Sequence, residues 1–350
     1  MADVKSDSAA GPSAQSAPNP LSQSDHQNAP TGAQDTTSSD TAIEAEAEGE
    51  SDVDSSLGDD TSSYTASLTS TVLDYQYENG RRYHAYKSGA YILPNDEQEL
   101  DRLDLTNGMI RHMMKGRNFV APIGRAPQRI LDIGTGTGIW VIDMGDEFPS
   151  AEIIGTDLSA TQPTVPPNVK FEIDDCESSW TFTHKFDFIH GRYLAGAIRD
   201  WPKLMKQAYD NLTPGGWVEW NDFNFKYYSD DGSLTKDHSL ALWNWKLAEA
   251  YETFGADSCP GPHLESWVRD AGFTNVVCKK YKIPIGTWPK DKEMKVLGAW
   301  GMLFTLESLE AVTLKIYTTV LGWRPEEVQV LLANTRKDLK NSNIHAVYEL

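Results

Sequence analysis

The sequence predicts an α/β fold of the doubly wound class, strands alternating with helices around a mostly parallel sheet, with helical additions. Three observations carry this. Apolar runs of six or seven residues recur between positions 129 and 223. Helix-length segments separate several of them, which implies parallel strands and crossover connections. The first run leads straight into a glycine loop, ILDIGTGTGIW at 130–140.

The elements follow in order. RILDIG (129–134) reads as a strand, and Gly138 to about Phe148 as the helix behind it. EIIGTD (152–157) is a second strand. Pro163, Pro166 and Pro167 in SATQPTVPPN exclude a regular helix there. VKFEIDD (169–175) and KFDFIHG (185–191) are the third and fourth strands. A helix over 202–212 stops at Thr213-Pro214-Gly215-Gly216, and WVEWNDF (217–223) is the fifth strand. Leu240, Trp243, Leu247 and Tyr251 recur at helical spacing within 234–254. HLESWVRDAGF is a short helix, NVVCKKYKIPIG a strand, 291–340 mostly helix, and HAVYEL the start of a last strand.

Composition divides the chain into a tail (1–70), a cap or lid segment (71–125) and a catalytic domain (126–350) with helical insertions around 234–272 and 291–340. The first 70 residues hold 13 Asp/Glu, one Lys and one aromatic, Tyr64. Such a segment cannot bury enough apolar surface to offset its ordering entropy, so a disordered acidic tail is expected. It reads either as a docking segment or as a tolerated, solvated terminus. Order is expected from about Thr71. The stretch 96–116 looks helical, with Asn95 or Asp96 as its N-cap, and is placed to fold back over the glycine loop.

A formal net charge of −20 and the absence of Lys/Arg clusters argue against direct nucleic-acid binding. No apolar run is long enough to span a membrane, and the first residues are polar. Cys176, Cys259 and Cys278 make no CxxC pair, so no metal site is indicated, and a reducing compartment, cytoplasm or nucleus, fits best.

The glycine loop selects the ligand. A dinucleotide site wants G-x-G-x-x-G so that a helix N-terminus meets the pyrophosphate. The third glycine of that pattern falls on Ile139. Gly134, Gly136 and Gly138 instead make G-x-G-x-G, two residues after Asp132. S-adenosylmethionine has no phosphates, but it has an ammonium, a carboxylate and a sulfonium. Glycines allow close backbone approach, and Asp132 can accept from the ammonium. Asp157, beside Leu158, ends the second strand and can accept both ribose hydroxyls. Asp175 ends the third and can accept the adenine amine, with the backbone N–H of Cys176 at a ring nitrogen. Asp132 and Asp157 could equally cap the loops that follow them.

On these residues the chain resembles the class I S-adenosylmethionine-dependent methyltransferases, through ILDIGTGTGIW, Asp157 and NLTPGGWVEW. More narrowly, ENGRRYHAYKSGAYILPNDEQELDRLDL (78–105) and IHGRYLAGAIRDWPKLMKQAYDNLTPGGW look like the fungal LaeA-like methyltransferases, over roughly residues 73–350. The resemblance implies a seven-stranded sheet with a reversed last strand, S-adenosyl-L-methionine as cofactor, and a small-molecule acceptor or velvet-type protein partners. The family's last strand usually runs several residues further, so here either a short strand or a truncated gene model is expected.

The acceptor is expected near the end of the fourth strand, where His190, Arg192 and Tyr193 stand. His190 is the candidate base if the acceptor is a hydroxyl or amine; its other reading is packing with a satisfied ring nitrogen. Arg192 could bind an acidic substrate, or pair with Asp200 or Glu219. Trp220 and Asp222 could line the pocket, and Tyr83, His84 and Tyr86 could close over it or simply pack. HGRY stands where an N/D-P-P-Y/F motif would select nucleobase or glutamine amines, and no Pro-Cys pair suits a cytosine nucleophile.

Overall fold

A computed structural model describes residues 74–160 and 165–350. The expected acidic tail and the stretch around Pro163 lie outside the described residues. The N-terminal part opens with a hairpin, β1 (Gln76–Glu78) and β2 (Arg81–Tyr83), followed by helix α1 (Glu97–Met113). Asp96 caps α1 by accepting from the Glu99 N–H at 3.1 Å. The same carboxylate receives Arg81 through two hydrogen bonds, at 2.6 and 2.8 Å, which ties the hairpin to the helix end.

The central sheet is parallel throughout, in the order β5-β4-β3-β6-β7. Its strands are β3 (Arg129–Ile133), β4 (Glu152–Asp157), β5 (Val169–Ile173), β6 (Phe186–Arg192) and β7 (Leu212–Asn221). Helix α2 (Ile139–Glu147) follows β3, and α3 (Trp201–Asp210) joins β6 to β7. Strand alternation sorts the core. Ile130, Ile153 and Phe188 pack with Trp140 and Val141 of α2 on one face. Leu131, Ile133 and Ile189 pack with Leu204 and Met205 of α3 on the other.

The doubly wound class is as expected, but the seven-stranded sheet is not continuous. After Asn221 the ladder is interrupted, and β8 (Asn224–Tyr228) belongs to a separate three-stranded antiparallel sheet. Its partners are β10 (Val347–Glu349), in the middle, and β9 (Lys282–Pro284). The break has a local cause. The Asp222 carboxylate accepts from the backbone N–H of Leu194 at 2.7 Å and of Phe223 at 2.8 Å, so this point is tied to the loop after β6. The last strand does run antiparallel to both neighbours. The stretch 275–286 yields only the three residues of β9, and Thr213–Gly216 is part of β7 instead of a turn before it.

The remaining helices are α4 (Ser239–Phe254), α5 (Gly261–Asp270), α6 (Lys292–Ala311), α7 (Leu314–Thr319) and α8 (Pro325–Leu339). Helix α4 starts five residues inside the helical segment expected over 234–254. With α1 and the second sheet, α4, α6, α7 and α8 enclose an apolar core. Its buried polar groups are paired: the Trp243 indole donates to Thr313 Oγ1 at 2.7 Å, and the Tyr317 hydroxyl donates to the Trp243 carbonyl at 2.7 Å. Gly298 and Gly301 let α6 press onto the backbone of 284–286.

Candidate active site

The turn from β3 to α2 stands at the carboxyl edge of the parallel sheet, where β3 lies between β4 and β6 and the winding reverses. Gly134, Gly136 and Gly138 have φ of 64°, 58° and 79°, left-handed values that disfavour side chains. A Cβ on Gly134 would meet Leu194 at 2.5 Å, and one on Gly138 would meet Phe171 at 2.4 Å. Space and backbone conformation together therefore require glycine here.

Asp132, Asp157, Leu158, Asp175 and Cys176 all line one cavity with this loop, a volume of about 150 Å³. Among the described residues, Asp132 has a single side-chain partner, His190, whose Nδ1 lies 2.7 Å from its carboxylate. Asp157 accepts from the N–H groups of Gly136 and Ser159, both at 2.9 Å. Burial pushes its pKa up to about 6 against those hydrogen bonds. Asp174 accepts from the N–H of Asp175 at 2.8 Å, which separates the roles of the two neighbours. The Cys176 carbonyl receives Trp180 Nε1 at 2.9 Å and Gln207 Nε2 at 3.0 Å, and burial pushes its thiol pKa up.

The N-terminal block closes over this edge. Ala90, Tyr91, Pro94 and Asn95 line the cavity, as do Glu99, Leu103 and Asn107 of α1. Lys87 reaches across to form an ion pair with Asp175 and a hydrogen bond to Ser178. Asn95 donates to Ser159 at 3.1 Å, and Thr137 of the loop donates to Asp104 at 2.7 Å. His84 holds the strap from beneath. Its two ring nitrogens lie 2.8 Å from the carbonyls of Tyr86 and Tyr91.

Several expected residues sit elsewhere. His190 is fully buried and stacked on Trp140, with ring centroids 3.8 Å apart and planes 5° apart. It does not line the cavity, and its Nε2 has no hydrogen-bond partner among the described residues. A general base must reach the proton it removes, and in this structure the His190 ring meets Asp132 without opening on the cavity. Trp220 packs beside Gly191 and edge-on to Trp201, and lines a separate groove of about 770 Å³ beyond β7. That groove contains none of the loop glycines. Tyr83 is buried beneath the Lys315 ammonium, and His84 is buried within the strap, so neither ring faces the cavity. Arg192 does line the cavity, but pairs with Asn107 at 2.7 Å and not with Asp200 or Glu219.

Tyr193, one residue further along, carries a φ of 60°, unusual for a bulky side chain. Its hydroxyl receives Arg102 at 2.6 Å, and Arg102 is ion-paired to Glu99, both residues buried. Tyr193 lines this cavity and also a small aromatic one behind it, with Phe225, Tyr227 and Trp243. Sequence reasoning placed Tyr193 on the acceptor side and Asn95 only as a possible helix cap, and missed Lys87, Ser159 and the Glu99–Arg102 pair. The one available signal was that 78–105 precedes the loop.

A glycine turn without a phosphate cradle, an acid at or just beyond the carboxyl end of each of three adjacent strands and a roofed cavity define a class I S-adenosylmethionine-dependent methyltransferase. Residues 106–277 match the family model described as a methyltransferase domain. The chain is 44% identical over 292 residues to methyltransferase pytC of Aspergillus terreus, covering 83% of this chain and 90% of that protein. It is 36% identical over 277 residues to the secondary metabolism regulator LAE1 of Cochliobolus heterostrophus, covering 77% of this chain and 90% of that one. Among solved structures, a phosphoethanolamine N-methyltransferase 2 of Haemonchus contortus in complex with S-adenosyl-L-methionine aligns at 17% identity. That alignment covers 83% of this chain and 73% of that one, with a TM-score of 0.40. The chain belongs to the LaeA-like methyltransferase family. It is an enzyme that uses S-adenosylmethionine. Among the described residues no helix is long and apolar enough to cross a membrane.

Proposed function

We propose that this methyltransferase acts on an oxygen or nitrogen of a small molecule, within fungal secondary metabolism. The observation that carries the reading is the roofed cavity at the sheet's carboxyl edge, closed by the Lys87 strap and by α1. A site enclosed on that side suits a compact acceptor. Similarity to pytC, itself named a methyltransferase, supports it.

The bound cofactor supplies an electrophilic methyl group on a good leaving group, so the protein's work is mainly alignment. We assign the cofactor's ammonium to Asp132, oriented by His190, its ribose to Asp157, and its adenine to Asp175 and the Cys176 N–H. Tyr193, held by Arg102 at the end of β6, is assigned to the acceptor side.

The test is metabolite comparison of a deletion strain with its parent, followed by incubating accumulated compounds with the full chain and isotopically methyl-labelled cofactor. Label in one accumulated compound supports the reading. Unchanged profiles, with no labelled product, oppose it.

The second reading is a regulatory subunit that acts with velvet-type protein partners in the nucleus, favoured by the 36% identity to the regulator LAE1. Co-purification of such partners with tagged full chain, together with nuclear fluorescence, would favour it. A cytoplasmic signal without partners favours the first.

A further inference from the structure

We propose that Arg192 binds the carboxylate of the cofactor's methionine end, forming with Asp132 a clamp for a zwitterionic α-amino acid. The inference rests on the cofactor reading above. It places Arg192 on the donor side of the reaction and not with the acceptor.

The placement comes from strand register. Asp132 of β3 stands opposite His190 of β6, and Arg192 lies two residues beyond His190. Residues two apart in a strand share a face, so Asp132, His190 and Arg192 project to the same side. Asp132 and Arg192 both line the cavity, one a buried carboxylate and the other a guanidinium.

Arg192 is also short of partners. A guanidinium has five N–H donors, and among the described residues the only acceptor Arg192 meets is the neutral Asn107 amide. None of the acids nearest to it forms an ion pair with it among the described residues. Asp132 is held by His190, and Asp143 forms an ion pair with Arg111 at 2.6 Å. Glu219 accepts from the N–H groups of Val120 and Ala121, at 2.8 and 2.6 Å. Burial outweighs the attraction of Asp132, Asp143 and Glu219 and pushes the Arg192 pKa down to about 10. A partly buried guanidinium with no direct ion pair is held at a cost, and an arriving carboxylate relieves it through a bidentate pair.

The clamp discriminates among adenosyl ligands. S-adenosylmethionine has both ammonium and carboxylate, decarboxylated S-adenosylmethionine keeps only the ammonium, and 5′-methylthioadenosine has neither. Titration calorimetry of full-length wild type, Arg192→Met and Arg192→Lys with these three ligands tests the proposal. Wild type is expected to prefer S-adenosylmethionine over its decarboxylated form by about 10- to 100-fold, the range for charge-assisted hydrogen bonds. Arg192→Met should lose that preference while binding 5′-methylthioadenosine as wild type does, and Arg192→Lys should fall between. Equal wild-type affinities for the first two ligands would overturn the proposal without any variant, as would Arg192→Met keeping the wild-type ratio. Failure of wild type to bind any of the three would instead sink the cofactor site itself.

Discussion

The two carboxylate oxygens of Asp157 already hold the backbone N–H groups of Gly136 and Ser159. Both bonds fix the glycine loop, and Asp157 lines the cavity where ribose hydroxyls would donate. Asp157→Ala should weaken cofactor binding by roughly 1–3 kcal/mol; titration at full affinity would mean that the ribose is held elsewhere. The pH dependence has a definite sign. Burial raises the Asp157 pKa to about 6 in the free protein, and hydroxyl donors would lower it in the complex. Below about pH 6 the free form then binds more protons, so affinity falls as pH falls through that value, with proton release on binding. Calorimetry in buffers of different ionisation heat reads this directly. At Gly136 a side chain would need φ near 58° and would meet Leu103 at 3.2 Å. Gly136→Val should therefore abolish cofactor binding, and unchanged titration heats would refute that. His190→Asn, which can offer an amide N–H near the Nδ1 position, should bind the cofactor better than His190→Leu, with turnover following occupancy. If turnover at saturating cofactor drops instead for both, His190 takes part in the proton transfer.

At the level of elements, α6 and β9 meet without room for even a methyl group. A Cβ on Gly301 would stand 2.3 Å from the Pro284 carbonyl oxygen and 2.9 Å from Ile283. Gly301→Ala should destabilise by roughly 1–3 kcal/mol through overpacking, lowering the melting temperature by a few degrees. An unchanged melt would show that the helix can slide. Such close approaches are invisible in a sequence, where Gly298 and Gly301 look merely like poor helix formers. Local chemistry was legible. The Asp96 cap and the strand EIIGTD both follow from spacing along the chain. Non-local pairing was not. Asp132 and His190 are 58 positions apart and Lys87 and Asp175 are 88 apart, and only strand register and the fold of the N-terminal block bring them together. For the same reason the tie from Asp222 to the loop after β6, which interrupts the sheet, could not be read in WVEWNDF.

For the whole molecule, the candidate cofactor cavity draws on the N-terminal block and on β3, β4, β6 and the turn after β5 at once. A ligand there should couple segments distant in sequence. At a concentration 100-fold above its Kd, S-adenosylmethionine should add about 2.7 kcal/mol to stability and raise the melting temperature by roughly 5 °C. Hydrogen exchange should slow at 86–95 as well as at 132–138; slowing at the loop alone would mean the strap does not take part. The strap's fastening also sets a clock. Lys87 is partly in water, with 38% of its side chain exposed, so dissolved ions compete for the Asp175 contact. The glycine turn and Asp157 are shielded from that competition. Raising ionic strength should therefore shorten the residence time of adenosyl ligands more than it changes their equilibrium affinity. Where departure of the demethylated product limits turnover, the enzyme would run faster in salt until the strap no longer closes.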